Sequence, residues 1–129
     1  MALRLERLAQ ATDGVRTLWN ELLEGSRALR GASAILQDVG DLDEIARRGC
    51  LWLGTDEGPV SLVVLEGGIV KILYVTPDLR RHGLGRSTLA ELSRLAEPVD
   101  AWALPGDRAS KSLYESVGWR ARLLTMRGD

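Results

Sequence analysis

The stretch from residue 68 to residue 96 constrains the fold of this chain more than any other. Residues 69–76 are rich in β-branched and aromatic side chains, which predicts a strand buried on at least one face. Pro77 cannot donate a ladder hydrogen bond, so the strand is expected to end there. Leucines then recur at helical spacing and predict a helix over residues 84–97. We therefore expect a strand, a loop and a helix that packs back on the sheet.

The loop between this strand and helix has the composition of an anion-binding turn. Its sequence is Arg80-Arg81-His82-Gly83-Leu84-Gly85-Arg86-Ser87. The glycines allow a tight turn and a close approach of the backbone to a ligand. The first N–H groups of the helix are unpaired and lie at the positive end of its dipole, and the arginines add full charges. The loop is therefore predicted to hold a phosphate or pyrophosphate group.

Three interpretations of this loop remain open from the residues alone. It could be a structural strand-turn-helix with surface arginines, because a short motif can match by chance. A dinucleotide-binding turn is disfavoured, because Thr88 stands where the third glycine of that motif would be, and a Walker P-loop is absent because no Gly-Lys-Ser/Thr follows. The third interpretation, a site for coenzyme A, is implied by the family resemblance described below.

Length, charge and cysteine content narrow the class of protein. A chain of 129 residues is expected to form one domain over residues 1–129. The formal charge of −1 gives no global attraction to nucleic acid or membrane. Cys50 is the only cysteine, which excludes an intramolecular disulfide and favours a small buried side chain. With no apolar run of membrane-spanning length and no signal peptide pattern, a cytoplasmic location is expected.

Periodicity along the chain predicts an α+β fold. The elements expected outside residues 68–96 are strands at 2–8, 50–55, 60–65, 99–104 and 119–126, and helices at 12–30, from Asp41 or Asp43 to Gly49, and from Asp107 to Gly118. Gly31 is expected to cap the first helix, and residues 32–40 give no clear signal. The order β-α-α-β-β-β-α-β-α-β corresponds to a mixed sheet with helices on its faces. Its strand-helix-strand unit implies a parallel pair with a right-handed crossover.

Two motifs resemble those of the GCN5-related N-acetyltransferases. Val75-Thr76-Pro77 followed by Arg80-Arg81-His82-Gly83-Leu84-Gly85 resembles motif A of that family, R/Q-x-x-G-x-G/A after a strand ending in V-x-P. Asp107-x-x-Ser110-x-x-Leu113-Tyr114-x-x-x-Gly118-Trp119 resembles motif B, N-x-x-A-x-x-L-Y-x-x-x-G-F. Asp107 replaces the family's Asn and Ser110 its Ala. The resemblance covers residues 60–119 and extends to the predicted element order.

The resemblance implies an acyl-CoA N-acyltransferase fold, acetyl-CoA as cofactor and no metal. It implies that the loop holds the pyrophosphate, that the central strand pairs with the pantetheine, and that the last helix contacts the cofactor. The implied cofactor-binding residues are Leu73, Tyr74, Val75, Arg80, Arg81, His82, Gly83, Leu84, Gly85, Arg86, Ser87, Asp107 and Ser110. A backbone N–H near Leu73 to Val75, where the family's central strand bulges, would hold the oxyanion. Tyr114 would be the general acid that protonates the leaving thiolate.

The proton acceptor is not fixed by the resemblance. A protonated amine has no lone pair for attack, so a base must take its proton. Glu66 could do so through water, and Glu57 and Asp100 are poorer alternatives. Asp38, Asp41, Asp43 and Glu44 are expected to form a solvated helix start, with an acidic lip for a cationic amine as the alternative.

The function implied is therefore transfer of an acetyl group from acetyl-CoA to a primary amine, on a small molecule or a protein. The alternative is a non-catalytic acyl-CoA-binding or sensing domain of the same fold. The expected partners are the cofactor and the amine, without nucleic acid or membrane, and a homodimer is allowed.

Overall fold

The computed structural model describes residues 3–29, 31–79, 83–104, 107–122 and 126. Its helices and strands follow one another as β1 Arg4–Arg7, α1 Asp13–Ser26, α2 Ala32–Val39, α3 Leu42–Arg47, β2 Leu51–Thr55, β3 Pro59–Glu66, β4 Ile69–Val75, a 3-10 turn Pro77–Leu79, α4 Leu84–Ala96, β5 Asp100–Ala101 and α5 Arg108–Ser116.

The five strands form one sheet in the order β1-β2-β3-β4-β5. The first four are antiparallel neighbours, as expected for strands joined by tight turns. Because α4 connects β4 to β5, these two strands run parallel. The predicted fold class, a mixed α+β sheet flanked by helices, is confirmed.

A β-bulge interrupts β4 at Lys71. Val64 of β3 lies opposite Ile72, but the next residue, Leu65, lies opposite Val70. Lys71 is therefore the extra residue on β4, which bends the strand and increases its twist.

The ladder between β4 and β5 is short. Ile69 lies opposite Asp100 and Val70 opposite Ala101, and the Trp102 N–H donates to the Val70 carbonyl at 2.9 Å. Within the described residues, this ladder extends no further along β4. The two parallel strands are thus joined at one end of β4, while α4 begins beyond the other end.

Helices cover both faces of the sheet. Val15, Leu18 and Ile45, from α1 and α3, pack with Leu62 and Val64 of β3 on one face. On the other face, α4 and α5 pack against the sheet. The buried side chains of this layer include Leu89, Leu92, Tyr114, Val63 and Val70. The alternation of Leu62, Val63 and Val64 between the two layers explains the uninterrupted apolar run of β3.

The segment after α1 differs from the prediction. α1 ends at Ser26 rather than at residue 30, and Gly31 is the N-cap of α2 at φ +87° instead of the C-cap of α1. The eight-residue helix α2 was not predicted. Its N-cap has no side chain, so the sequence carried no capping signal for it.

The C-terminal strands also differ from the prediction. β5 contains only Asp100–Ala101 instead of residues 99–104, because its ladder with β4 stops at Ala101. Residues 119–122 are not in a strand, and residues 123–125 of the predicted last strand lie outside the described residues. Among the described helices, none combines the length and apolar character needed to cross a bilayer. The cytoplasmic location and the homodimer stay predictions.

Candidate active site

The N-terminus of α4 is left without a side-chain cap. Gly83 is its N-cap at φ +77°, and the first intrahelical bond runs from the Ser87 N–H to the Gly83 carbonyl at 3.0 Å. The N–H groups of Leu84, Gly85 and Arg86 therefore find no acceptor among the described residues.

Among the described helices, α1, α3 and α5 each have one N-terminal N–H paired with a capping side chain, whereas α2 begins, like α4, at a glycine without a side-chain cap. The side chains of Thr12, Asp41 and Asp107 cap α1, α3 and α5 respectively. α4 alone among the described helices combines a glycine cap with a position at the end of the central strand. Its free donors and positive dipole end suit an anion.

A buried pair of hydroxyls holds the first turn of α4 against the sheet. Thr88 is fully buried, and its Oγ1 donates to the Leu84 carbonyl at 2.7 Å. It therefore accepts from Ser61 Oγ of β3, at 2.9 Å. The Ser61 side chain occupies the space beside Gly54 of β2, where any Cβ would overlap the hydroxyl.

The two loop glycines have different roles. A Cβ on Gly83 would meet no atom of the described residues within 4 Å, so a glycine is required here by the positive φ rather than by a close neighbour among them. A Cβ on Gly85 would lie 3.3 Å from Leu113 Cδ2 and 3.8 Å from Val75 Cγ2. Gly85 thus lets α4, α5 and the end of β4 approach one another, rather than making room for a ligand.

The remaining loop residues contribute unequally. Arg80, Arg81 and His82, which were predicted to bind the cofactor, lie outside the described residues. Leu84 is 3% exposed, so only its backbone can reach a ligand. Arg86 is exposed and Ser87 is half-buried at the start of α4.

The predicted pantetheine-binding residues of β4 have side chains on both faces. Leu73 packs in the layer of α4 and α5, whereas Tyr74 packs in the layer of α1 to α3. Val75 lies beside the position of Gly85. The bulge expected near Leu73 to Val75 is instead at Lys71, because the register with β3 shifts there.

The two polar residues predicted to contact the cofactor from α5 bind each other. Asp107 Oδ1 accepts from the Ser110 N–H at 3.1 Å, and Asp107 Oδ2 accepts from Ser110 Oγ at 2.7 Å. This pair caps α5 and satisfies its first turn. The Asn-to-Asp and Ala-to-Ser differences from motif B thus form one local unit.

Tyr114 is a core residue in the layer that α4 and α5 form on the sheet. The residue is 7% exposed, and its ring stacks on Trp119 at 5.6 Å between centroids. Burial, and then the negative charge of Asp107, raise the pKa of Tyr114. The phenol is therefore protonated at neutral pH, as a proton donor must be.

Glu66 is bound to two cations at the far end of β4. Its Oε1 accepts from Lys71 Nζ and its Oε2 from Arg48 Nε, both at 2.9 Å. The hydrogen bond from Lys71 first, and that from Arg48 second, lower the pKa of Glu66, so this carboxylate holds a proton poorly. Glu66 pairs with Ile69, six residues before Val75, or roughly 20 Å along the strand. The structure does not bring Glu66 to the N-terminus of α4.

The acidic residues before β2 have structural partners. Asp38 accepts from Lys71 Nζ at 2.6 Å, and Asp43 accepts from Arg16 at 2.7 Å. Asp41 caps α3 by accepting from the Glu44 N–H at 2.9 Å, a bond that lowers the pKa of Asp41. These contacts support the expected solvated helix start rather than an acidic lip.

A carboxylate that sequence reasoning missed lies on the other side of β4. Glu21 of α1 is half-buried and accepts from Tyr74 Oη at 3.3 Å and from Thr76 Oγ1 at 3.2 Å. Glu21 precedes the buried Leu22 and lies at the edge of the apolar face of α1. No sequence pattern connects it to Thr76, since 55 residues separate the two.

A cavity of about 240 Å³ adjoins this carboxylate. It lies between α1, the first residue of β3 and the residue that follows β4. Its lining residues are Gly14, Thr17, Leu18, Glu21, Pro59 and Thr76.

Comparison with known proteins agrees with this architecture. The family model described as "FR47-like protein" matches residues 60–127, which include β3, β4, α4 and α5. The chain belongs to the FR47-like family of GCN5-related N-acetyltransferases. The resemblance seen in motifs A and B is thereby confirmed.

Curated and solved relatives extend the likeness beyond that match. A mycothiol acetyltransferase of Clavibacter michiganensis subsp. michiganensis is 33% identical over 147 residues, covering 99% of this chain and 44% of the relative. The chain thus spans less than half the length of that protein.

Two solved structures share the fold. The apo form of YjaB from Escherichia coli has a TM-score of 0.65 at 20% identity, covering 92% of this chain and 82% of that one. The aminoglycoside acetyltransferase AAC(6')-Iy, in complex with a bisubstrate analogue, CoA-S-monomethyl-acetylneamine, has a TM-score of 0.59 at 14% identity. Its alignment covers 100% of this chain and 99% of that chain.

Proposed function

We propose that this domain transfers an acetyl group from acetyl-CoA to a primary amine. The observation that carries the proposal is the uncapped N-terminus of α4, with Gly83 in the left-handed region beyond the end of β4. In a member of an acetyltransferase family, such a helix start suits the anionic pyrophosphate of the cofactor, which supports the proposal. The name of the mycothiol acetyltransferase relative and the coenzyme A analogue bound to AAC(6')-Iy support the same activity.

The pyrophosphate of the cofactor would be held by the first turn of α4. The N–H groups of Leu84, Gly85 and Arg86 are its donors, and the positive dipole end adds to their attraction. The family pattern assigns further contacts to the loop residues Arg80, Arg81, His82 and Ser87. The pantetheine would follow the backbone of β4 near Leu73, Tyr74 and Val75, as an added strand would.

The acetyl thioester supplies an activated carbonyl and a good leaving group. The negative charge that develops on the carbonyl oxygen requires a preorganised backbone N–H. The bulge at Lys71 would supply this N–H, because the extra residue of a bulge is left out of the hydrogen-bonded ladder. Tyr114 would give its proton to the departing thiolate. Its raised pKa keeps the phenol protonated until that moment.

Glu66 has an anchoring role in this proposal. Its two bonds, to Lys71 and to Arg48, tie the bulge of β4 to the end of α3. Lys71 is further held by Asp38 of α2 and lies 4.9 Å from the ring centre of Trp102, which follows β5. These contacts fix the backbone of the bulge without requiring Glu66 to accept a proton.

Calorimetry with acetyl-CoA, combined with a thiol-release assay over a panel of primary amines, tests the proposal. We expect binding and amine-dependent release of coenzyme A. Absence of heat at millimolar ligand with well-folded protein would refute the site. Binding without thiol release for any amine would instead favour the alternative, a non-catalytic acyl-CoA-binding domain.

A further inference from the structure

We propose that Glu21 is a positioning residue for the cofactor, because it fixes the end of β4 and the turn that follows it from the side of α1. This inference rests on the proposed acetyl transfer and assigns a role to a residue that the proposed function does not use. Glu21 is half-buried, and its Oε2 accepts from Tyr74 Oη at 3.3 Å and from Thr76 Oγ1 at 3.2 Å. Residues two apart on a strand share a face, so one carboxylate oxygen can hold both hydroxyls.

Thr76 is the residue at which the chain leaves the sheet, and each of its polar groups has a partner. Its N–H donates to the Val60 carbonyl at 3.0 Å, and its carbonyl accepts from the Leu79 N–H at 3.0 Å, beside the 3-10 turn Pro77–Leu79. Backbone bonds at the end of a strand and in a single turn open easily. The bond from the Thr76 hydroxyl to Glu21 differs from both, because it joins this exit point to the helix layer that covers the sheet.

The end of β4 lies against the first turn of α4. Val75 Cγ2 is 3.8 Å from the position that a Cβ on Gly85 would occupy. The same turn is joined to β3 by the hydrogen bond between Thr88 and Ser61, and the residue before Ser61 is Val60, which holds the chain where it leaves β4. The exit from β4 and the start of α4 are thus both fixed at one point of β3, and α1 supplies a further support through its carboxylate.

This support matters for the cofactor because a phosphate site binds well only when its donors are in place before the ligand arrives. The donors of the proposed function are the N–H groups of Leu84, Gly85 and Arg86. When the fraction of molecules with the competent arrangement falls to about one tenth, the apparent affinity falls about tenfold. Loss of the bonds to Glu21 would lower that fraction, since the end of β4 and the first turn of α4 would no longer be held together from both faces of the sheet.

Glu21 fulfils this role as a hydrogen-bond acceptor, and neither its charge nor a proton transfer is needed. Both donors are neutral hydroxyls, and no ion pair joins Glu21 to a described residue. The reacting carbonyl is placed by the proposed function at Lys71, five residues before Thr76 and roughly 15 Å away along the strand. A glutamine at position 21 keeps a side-chain oxygen that can accept from both hydroxyls. It should therefore replace Glu21, whereas a leucine should not.

Calorimetry with acetyl-CoA compares Glu21→Leu and Glu21→Gln with Glu24→Leu, a control on the same helix at an exposed ion pair with Arg27. We expect Glu21→Leu to bind about tenfold more weakly than wild type, and the other two variants to stay within about threefold of it. Thr76→Val should also weaken binding, and the double variant with Glu21→Leu should lose less than the product of the two single losses. A Glu21→Gln variant as weak as Glu21→Leu, or independent effects of the two positions, would overturn the inference.

Turnover gives a readout that a general loss of stability would not produce. For an amine that wild type acetylates, Glu21→Leu should raise the KM for acetyl-CoA about tenfold and leave kcat within about threefold. Glu21→Gln should keep both constants near those of wild type. A loss confined to kcat, or to the KM for the amine, would contradict a role in holding the cofactor.

Amide hydrogen exchange tests the inference without any cofactor. The N–H groups of Thr76 and Leu79 should exchange about tenfold faster in Glu21→Leu than in wild type, and at the wild-type rate in Glu21→Gln. The Leu65 N–H, which donates to the Cys50 carbonyl at 2.9 Å within the sheet, should keep its rate and thereby show that the fold is intact. Unchanged exchange at Thr76 and Leu79 would overturn the inference even if acetyl-CoA binds. The expected exchange without acetyl-CoA binding by wild type would instead refute the proposed function, and the cofactor role of Glu21 with it.

Discussion

The hydroxyl oxygens of Ser61 and Thr88 lie 2.9 Å apart inside the core and join β3 to the first turn of α4. Thr88 also donates to the Leu84 carbonyl, so a chain of two hydrogen bonds runs from the sheet into the helix start. Both residues are fully buried, where an unpaired hydroxyl is unfavourable. The first turn of α4, which is proposed to hold the anion, is thus fixed by a polar contact in an otherwise apolar layer.

Thr88→Val should destabilise the domain although the side chain keeps its shape. The change removes the acceptor for the Ser61 hydroxyl and leaves that donor buried, which costs about 1–3 kcal/mol. Urea unfolding at neutral pH measures the loss. Thr17→Val is the matched control, because the Thr17 hydroxyl donates to the Asp13 carbonyl at an exposed position. A change in Thr88→Val as small as that of the control would show that the contact contributes nothing.

Gly83→Asp should weaken acetyl-CoA binding more than Gly83→Asn does. A Cβ at this position meets no atom of the described residues, and both residues tolerate the positive φ better than most others. Only Asp places a negative charge beside the predicted pyrophosphate, and the repulsion should lower affinity by about tenfold or more. Calorimetry at low and high salt measures this, and the difference should narrow as salt rises. Equal affinities of the two variants would place the phosphate elsewhere.

Much of the sheet and α4 could be predicted from local pattern. The apolar run of β3, the end of β4 before Pro77 and the leucine spacing of α4 are properties of short segments, and the structure confirms them. α2 was missed because Gly31 gives it no capping side chain.

The site was less predictable because it depends on contacts between distant segments. The bulge at Lys71 is a property of the register with β3 and has no signature within β4. Likewise, Glu21 meets Thr76 only after α1 packs on the sheet. Asp107 caps α5, and its contact with the cofactor, which the motif implies, stays a prediction.

Tyr114→Phe should lower kcat while leaving acetyl-CoA affinity unchanged. The ring keeps its stack on Trp119, so only the hydroxyl is lost. Because a thiol with a pKa of about 8.5 leaves readily, we expect a loss of about tenfold to a hundredfold rather than more. Steady-state thiol release and calorimetry separate the two effects. An unchanged kcat would remove the acid role from Tyr114.

The same variant should alter the stability of the domain in alkali. The pKa of Tyr114 in the folded state lies above its ordinary value of 10.0 because burial disfavours the phenolate. Below about pH 10 both states keep the proton, and above it only the unfolded chain loses it, so stability falls as pH rises. The slope approaches about 1.4 kcal/mol per pH unit for this one group. Urea unfolding in alkaline buffers should give wild type a steeper decline than Tyr114→Phe, and parallel curves would contradict the burial of the phenol.

Glu66→Gln distinguishes an anchor from a base. The pKa of Glu66 is held below its ordinary value of 4.5 by the hydrogen bond from Lys71 first and that from Arg48 second. Its contribution to stability is therefore fully present above about pH 4.5 and is lost as pH falls through the lowered pKa of the folded state. Glu66→Gln should be less stable at neutral pH, because Lys71 then keeps only Asp38, and its stability should depend less on pH in acid.

Urea unfolding at a series of acidic pH values tests this, with Glu24→Gln as the control for loss of an exposed ion pair that contributes little. An anchor predicts that stability falls and that any loss of kcat is the same at neutral and alkaline pH, since no proton passes through the carboxylate. A base predicts the opposite: stability near that of the control, and a kcat that collapses at neutral pH and recovers in alkali. Because Lys71 and Arg48 both hold Glu66 as a carboxylate, we expect the first outcome.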